Sequence, residues 1–149
     1  MNTLLNSEMQ LRLSTALHNT SRAWRQGLDS RLKDLGVSQA GWMTIAMVAK
    51  ANEALSQKQL ADLLGVEPPT IVAMVDRLLA GGLVLRAVSP LDRRVKLILL
   101  TDAGKALYGR VKEVADEFRA AVLEGLDPAA IAAAVDLLET IEARIEDQL

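Results

Sequence analysis

The chain has 149 residues, half of them hydrophobic and 24% charged, enough for one ordinary domain, or one compact unit with an oligomerisation extension, around a sizeable core. It has no cysteine, which excludes disulfides, thiolate metal sites and cysteine redox sensing, and its single histidine, His18, lacks a paired acid, so neither metal nor cofactor is expected. Residues 1–7 show no leader pattern and no apolar run approaches the roughly 20 residues of a membrane span, so a cytoplasmic chain without a membrane partner is expected.

The net charge of −2 is unevenly distributed. Residues 1–112 carry 15 Lys and Arg against 9 Asp and Glu, whereas residues 113–149 carry 2 against 10. The acidic end would avoid a phosphate backbone. Between Val84 and Lys96, Arg86, Arg93, Arg94 and Lys96 face a single acid, Asp92, and should create a positive local field.

A first helix is expected over residues 11–35, where Leu13, Leu17, Trp24, Leu28, Leu32 and Leu35 recur at three-and-four spacing before Gly36. A second follows Ser38 as N-cap and ends before Asn52 and Glu53. A third, about two turns long, starts at Ser56, whose partner three residues on is Gln59, and stops at Gly65. The fourth opens on Glu67 as cap with Pro68 and Pro69 in the first turn, where missing N–H groups cost little. Its inward stripe is Ile71, Met74, Val75, Leu78 and Leu79. Pro69, Thr70, Val72, Ala73, Asp76 and Arg77 then face outward. In a major groove the small apolar members can approach thymine methyl groups, and Thr70 can bond a base edge or a phosphate.

After Gly81 and Gly82, residues 83–88 and 95–100 read as two strands joined by a loop containing Ser89, Pro90, Leu91 and Asp92. A hairpin between helices is a wing. At its tip Asp92 stands two residues before Arg94 and can fix the guanidinium for insertion between phosphate walls; the alternatives are a solvated hairpin and a plain surface ion pair. Thr101 caps a fifth helix carrying Leu107, Val111, Val114, Phe118 and Val122, which runs to Gly125. Asp127 caps a sixth, with Pro128 in its first turn and Ile131, Val135, Leu138, Ile141 and Ile145 as a narrow stripe. The first, fifth and sixth helices carry apolar faces longer than the central module can cover; they either form a dimer interface or pack on one another. The fold class is therefore mainly α with a small β-wing: a winged helix-turn-helix flanked by terminal helices.

Helix-turn-helix plus basic wing makes binding of double-stranded DNA the leading functional expectation. The four aromatic residues, Trp24, Trp42, Tyr108 and Phe118, are too few for a single-strand stacking platform. The alternatives are a winged-helix module for protein contact, which the acidic total permits, and an enzyme acting on aromatic compounds. No glycine-rich phosphate loop, nucleophile elbow or His–carboxylate cluster supports the last, so no enzyme is expected.

The segment LSQKQLADLLGVEPPTIVAMVDRLLAGGLVLRAVSPLDRRVKLILLTDAGKALY resembles the winged helix-turn-helix of the MarR family, the multiple-antibiotic-resistance regulators. The likeness is carried by Leu60-Ala61, Gly82-Leu83-Val84, Asp92-Arg93-Arg94 and Leu100-Thr101 in one order. AWRQGLDSRLKDLGVSQAGW, residues 23–42, is similar to the SlyA-like branch and extends the likeness over most of the chain. The resemblance implies a transcriptional regulator acting as a homodimer, with intertwined terminal helices (1–36 and 102–149) around a DNA-binding domain (37–101), on a pseudo-palindromic operator. It implies that Asp92 orients Arg94 into the minor groove, that Thr70, Val72 and Ala73 lie on the recognition helix, and that Ser56 and Gln57 sit near the backbone. Two positions depart from the pattern: the family commonly has a hydroxyl residue at Val72 and an arginine at Ala73. Polar base readout is thinner here, and apolar contacts and groove shape must carry more.

Many members of that family release DNA on binding a small aromatic acid. Arg22, Arg25 and Trp42 match positions lining the ligand crevice of SlyA-like proteins, where an arginine pair can hold a carboxylate and an indole can cover a ring. Against that, Arg25 and Asp29 are spaced for a helical ion pair, and a tryptophan on an apolar stripe is usually core.

Overall fold

The computed structural model describes residues 5–149; residues 1–4, part of the stretch expected to lack a leader, lie outside the described residues. Helix α1 covers Ser7–Leu32. It starts at Ser7 rather than near Leu11 because the Asn6 side chain accepts from the Met9 N–H at 2.8 Å, capping polar residues that carry no apolar signal. A 3-10 turn, Lys33–Leu35, then ends at Gly36 with φ 75°, the left-handed conformation in which a Cβ is strained. Helix α2, Gln39–Lys50, is capped by the Ser38 hydroxyl, which accepts from the Gly41 N–H at 3.1 Å.

A two-residue strand, β1 (Leu55–Ser56), leads into α3, Gln57–Leu64. The expected capping box is formed at both halves: the Gln59 N–H donates to Ser56 Oγ at 3.1 Å, and the Ser56 N–H donates to Gln59 Oε1 at 2.8 Å. Helix α4, Pro68–Ala80, has both prolines in its first turn; Glu67 holds the cap position through its backbone, and its carboxylate makes no capping bond. Strands β2 (Val84–Val88) and β3 (Lys96–Leu100) form the hairpin.

The sheet is antiparallel in the order β1-β3-β2, with Ile98 paired to Leu55 on one side and Arg86 on the other. β1 is the strand that sequence reasoning missed, because two residues are too few to show alternation. Ile98 is fully buried and joins Leu32, Ile45, Leu60, Ile71 and Val75 in the core of the module. The inward stripe of α4 holds: Ile71, Met74, Val75 and Leu78 are buried and Leu79 is half-buried.

Helix α5, Asp102–Leu123, starts under Thr101. The Thr101 hydroxyl accepts from the Gly104 N–H at 3.1 Å and donates to the Gly82 carbonyl at 2.6 Å, tying the helix start to the end of the α4–β2 turn. Gly104 is buried against the Leu83 carbonyl: a Cβ there would lie 2.0 Å from that oxygen. No other residue fits.

The chain forms two compact units, Met1–Ala115 and Asp116–Leu149, the boundary falling within α5. In the second unit, α6 covers Pro128–Glu146 and is capped by Asp127, whose Oδ1 accepts from the Ala129 N–H at 3.1 Å. Helix α6 has no buried residue, and Val135, Leu138 and Ile145 of its apolar stripe are exposed. Among the described residues, no helix is long and apolar enough to cross a membrane, and no group of three or more His, Asp or Glu is placed to hold a metal ion.

Candidate nucleic-acid interface

Helices α3 and α4 are joined by the left-handed Gly65 (φ 65°) and enclose the buried Leu60 and Ala61 on one side and Ile71, Met74 and Val75 on the other. Burying that face of α4 leaves Pro69, Thr70, Val72, Ala73, Asp76 and Arg77 exposed on the opposite one, as the spacing predicts. Beside this face runs a groove of about 490 Å³. Ser56, Gln57 and Lys58 from the start of α3, Pro68, Ile71 and Val72 from α4, and Arg94, Val95 and Lys96 from the wing line it. Five of the sequence-derived residues, Ser56, Gln57, Val72, Arg94 and Lys96, thus converge on one concavity. Lys58 joins them; an exposed lysine in the first turn of a short helix gives no signal of its own in the sequence.

The wing tip is a tight, hydrogen-bonded turn. Ser89 N–H donates to the Val95 carbonyl at 2.9 Å, Val95 N–H to the Asp92 carbonyl at 3.0 Å, and Leu91 N–H to Ser89 Oγ at 3.2 Å. Within it, Asp92 Oδ1 accepts from the Arg94 N–H at 3.0 Å and from Nε at 3.2 Å, while Oδ2 accepts from Nη2 at 3.3 Å. This is a two-oxygen fork on one guanidinium, anchored by a backbone bond. The Arg94 side chain bonded to Asp92 and the Arg94 backbone N–H hold the Asp92 carboxyl below the usual carboxylate range. Arg94 nevertheless remains 90% exposed: it is aimed but not covered. Arg93 and Lys96 are exposed beside it, and Leu91 at the apex is almost entirely so.

Arg86 behaves differently. From the middle of β2 it donates Nε to Gln57 Oε1 at 2.8 Å and Nη2 to Asp76 Oδ1 at 3.0 Å, linking the wing to both α3 and α4. Ser56 is also engaged, since its hydroxyl oxygen serves the α3 cap.

Of the residues associated with a ligand crevice, Arg22 and Arg25 come together. With Leu17, His18, Ser21, Gln26 and Gln39 they line a cavity of about 550 Å³, where Arg25 Nη2 donates to Ser21 Oγ at 3.1 Å. Asp29 does not meet Arg25; its Oδ1 accepts from Trp42 Nε1 at 3.2 Å. Trp42 is buried at 7% exposure and is not among that cavity's lining residues, as expected of a tryptophan on the apolar stripe of α2. Arg25 also lines a smaller cavity of about 170 Å³ against Met43, Thr70, Ile71 and Met74, behind the first turns of α4.

A helix-turn-helix with an arginine-tipped wing defines a class, the winged-helix DNA-binding proteins. Comparison with known proteins narrows it. The family model described as the MarR family matches residues 35–95. The crystal structure of the transcriptional regulator PA3341 is 38% identical, with a TM-score of 0.84, over 91% of this chain and 98% of that one. CouR from Rhodococcus jostii RHA1, solved bound to p-coumaroyl-CoA, is 26% identical with a TM-score of 0.75 over 87% and 90% of the two chains. The transcriptional regulator SlyA, at 20% identity and a TM-score of 0.78 over 91% and 95%, is a likeness of fold. The chain belongs to the MarR family and is a DNA-binding transcriptional regulator.

Proposed function

We propose that this regulator works in the cytoplasm as a homodimer on a pseudo-palindromic operator, with α4 in the major groove and the wing reaching the adjacent minor groove. Pro69, Thr70, Val72, Ala73 and Arg77 face bases and nearby backbone, Ser56 and Gln57 meet a phosphate, and Arg93, Arg94 and Lys96 follow the wing. The observation that carries this reading is the Asp92–Arg94 fork: a guanidinium fixed in direction yet 90% exposed, across a groove from an exposed helix face of small side chains. Pre-orientation lowers the entropy lost on insertion into a narrow groove. The terminal regions, 1–36 and 102–149, supply the dimer contact, a role supported by the exposed apolar stripe of α6.

Selection of bound duplexes from a random pool, followed by footprinting, tests this. The expected result is two protected half-sites about one helical turn, roughly 34–36 Å, apart. Affinity should fall steeply with salt, by a log–log slope of about −0.9 per phosphate neutralised. A single protected patch would argue for a monomeric reader, and a flat salt response for a protein-contact module.

A ligand-responsive mode is favoured by one observation, the cavity that brings Arg22 and Arg25 together. Two guanidinium groups suit a small aromatic carboxylate, and CouR, which is bound to p-coumaroyl-CoA, is a structural relative. Trp42, bonded to Asp29 and buried, is not among the lining residues of that cavity, so the two arginines carry this reading. Salicylate added during the duplex titration should weaken binding in the wild type and not in Arg22→Ala.

A further inference from the structure

Arg86 lies in the middle of β2 of the same wing and is the one cation of the cluster whose bonds join the wing to both α3 and α4. Its Nε reaches Gln57 Oε1 at 2.8 Å in α3, and its Nη2 reaches Asp76 Oδ1 at 3.0 Å in α4; the side chain is 29% exposed against 58% for Asp76. Two chemical consequences follow. A guanidinium only donates, so the Gln57 amide must turn its oxygen inward, which points its NH₂ the other way. Gln57 lines the groove shared with Arg94 and Lys96, and among the described residues its Nε2 has no protein acceptor. The second consequence concerns charge. Asp76 is the only acid on the outward face of α4, and a bare carboxylate there would repel a phosphate backbone.

We propose that Arg86 is a positioning residue for DNA binding and not a phosphate contact: it sets the Gln57 amide with its donors outward and neutralises Asp76 on the reading face. The proposal rests on the duplex-binding reading above. Arg86 contributes through two neighbours, so its loss should be felt as a wrongly turned amide and an exposed negative charge, with no phosphate ligand removed.

The test uses the full-length protein and the duplex it selects, titrated over a range of salt. Arg86→Met should weaken binding roughly tenfold, and the flattening of the log–log salt slope caused by the uncovered Asp76 charge should disappear once that charge is removed as well. Asp76→Asn placed in the Arg86→Met background should recover a substantial part of the loss, and Gln57→Ala should cost less in that background than in the wild type. Arg86→Lys, which can pair with Asp76 but cannot fork to Gln57 as well, should fall between the two. It also keeps the test open if the methionine variant folds poorly, which circular dichroism would reveal. A slope shallower by about 0.9 in Arg86→Met, with no rescue by Asp76→Asn, would make Arg86 a direct phosphate ligand and overturn the proposal. A wild-type protein that shows no salt-dependent duplex binding would instead remove the underlying reading and this assignment with it.

Discussion

Two arginines of the hairpin pair with aspartates in opposite ways. In the middle of β2, Arg86 reaches partners 10 and 29 residues away, and its side chain is 29% exposed. At the hairpin tip, Arg94 is bonded to an acid two residues away and is 90% exposed. A pair within a turn cannot hold two elements together; it can only fix the direction of a side chain. A pair that spans elements does the reverse, holding the module and spending its donors inside the protein. The same two residue types thus make a brace in one place and a pointer in the other, and sequence separation decides which.

The most drastic way to break the contrast is to remove the frame that both pairs depend on. Gly104→Ala drives a methyl group into the Leu83 carbonyl, a backbone atom that cannot step aside. Overpacking of this kind costs about 1–3 kcal/mol, and here the upper end is expected as a lowered urea midpoint. Gly109→Ala in the same helix meets nothing within 4 Å and should be neutral or stabilise by about 0.5–1 kcal/mol. Equal midpoints for the two variants would contradict the close approach.

Removing the pointer alone comes next. Arg94→Ala should lower duplex affinity about tenfold or more and make the salt slope shallower by about 0.9, with the unfolding midpoint unchanged. Arg110→Ala, on the exposed side of α5, should do neither. The smallest effect concerns the clamp on the pointer. Bonding to Arg94 lowers the Asp92 pKa in the folded state, so the clamp is fully present above the ordinary carboxylate range and is lost only as pH falls through the lowered value. Carboxyl carbon shifts of Asp92 should therefore titrate below those of an unpaired aspartate, and Arg94→Ala should move them part of the way back, because the backbone N–H of residue 94 still donates to Oδ1.

Much of this architecture was legible in the residues because its signals are local. Ser56 with Gln59, Ser38, Asp127, the prolines after Glu67 and the glycines at 36 and 65 act within one turn of chain, and each does what its chemistry dictates. The tip pair was legible for the same reason. What escaped depends on atoms brought together from far apart. β1 exists because β3 lies beside it, Gly104 is required because Leu83 passes over it, and the Arg86 bonds need α3 and α4 already in position. Asp29 shows the same limit: helical spacing offered it Arg25, and tertiary packing gave it Trp42.

The pairing of β1 with β3 has a consequence for how the molecule is made. Leu55 and Ser56 meet Ile98 and Leu97 only after everything between them has been laid down, and α3, α4 and β2 all lie inside that closed loop. Joining distant ends is entropically cheaper once the intervening chain is compact, so the helices should form first and the short edge strand should zip last. A chain released before residue 98 would own both rods of the motif and still lack the seam that sets them against the wing.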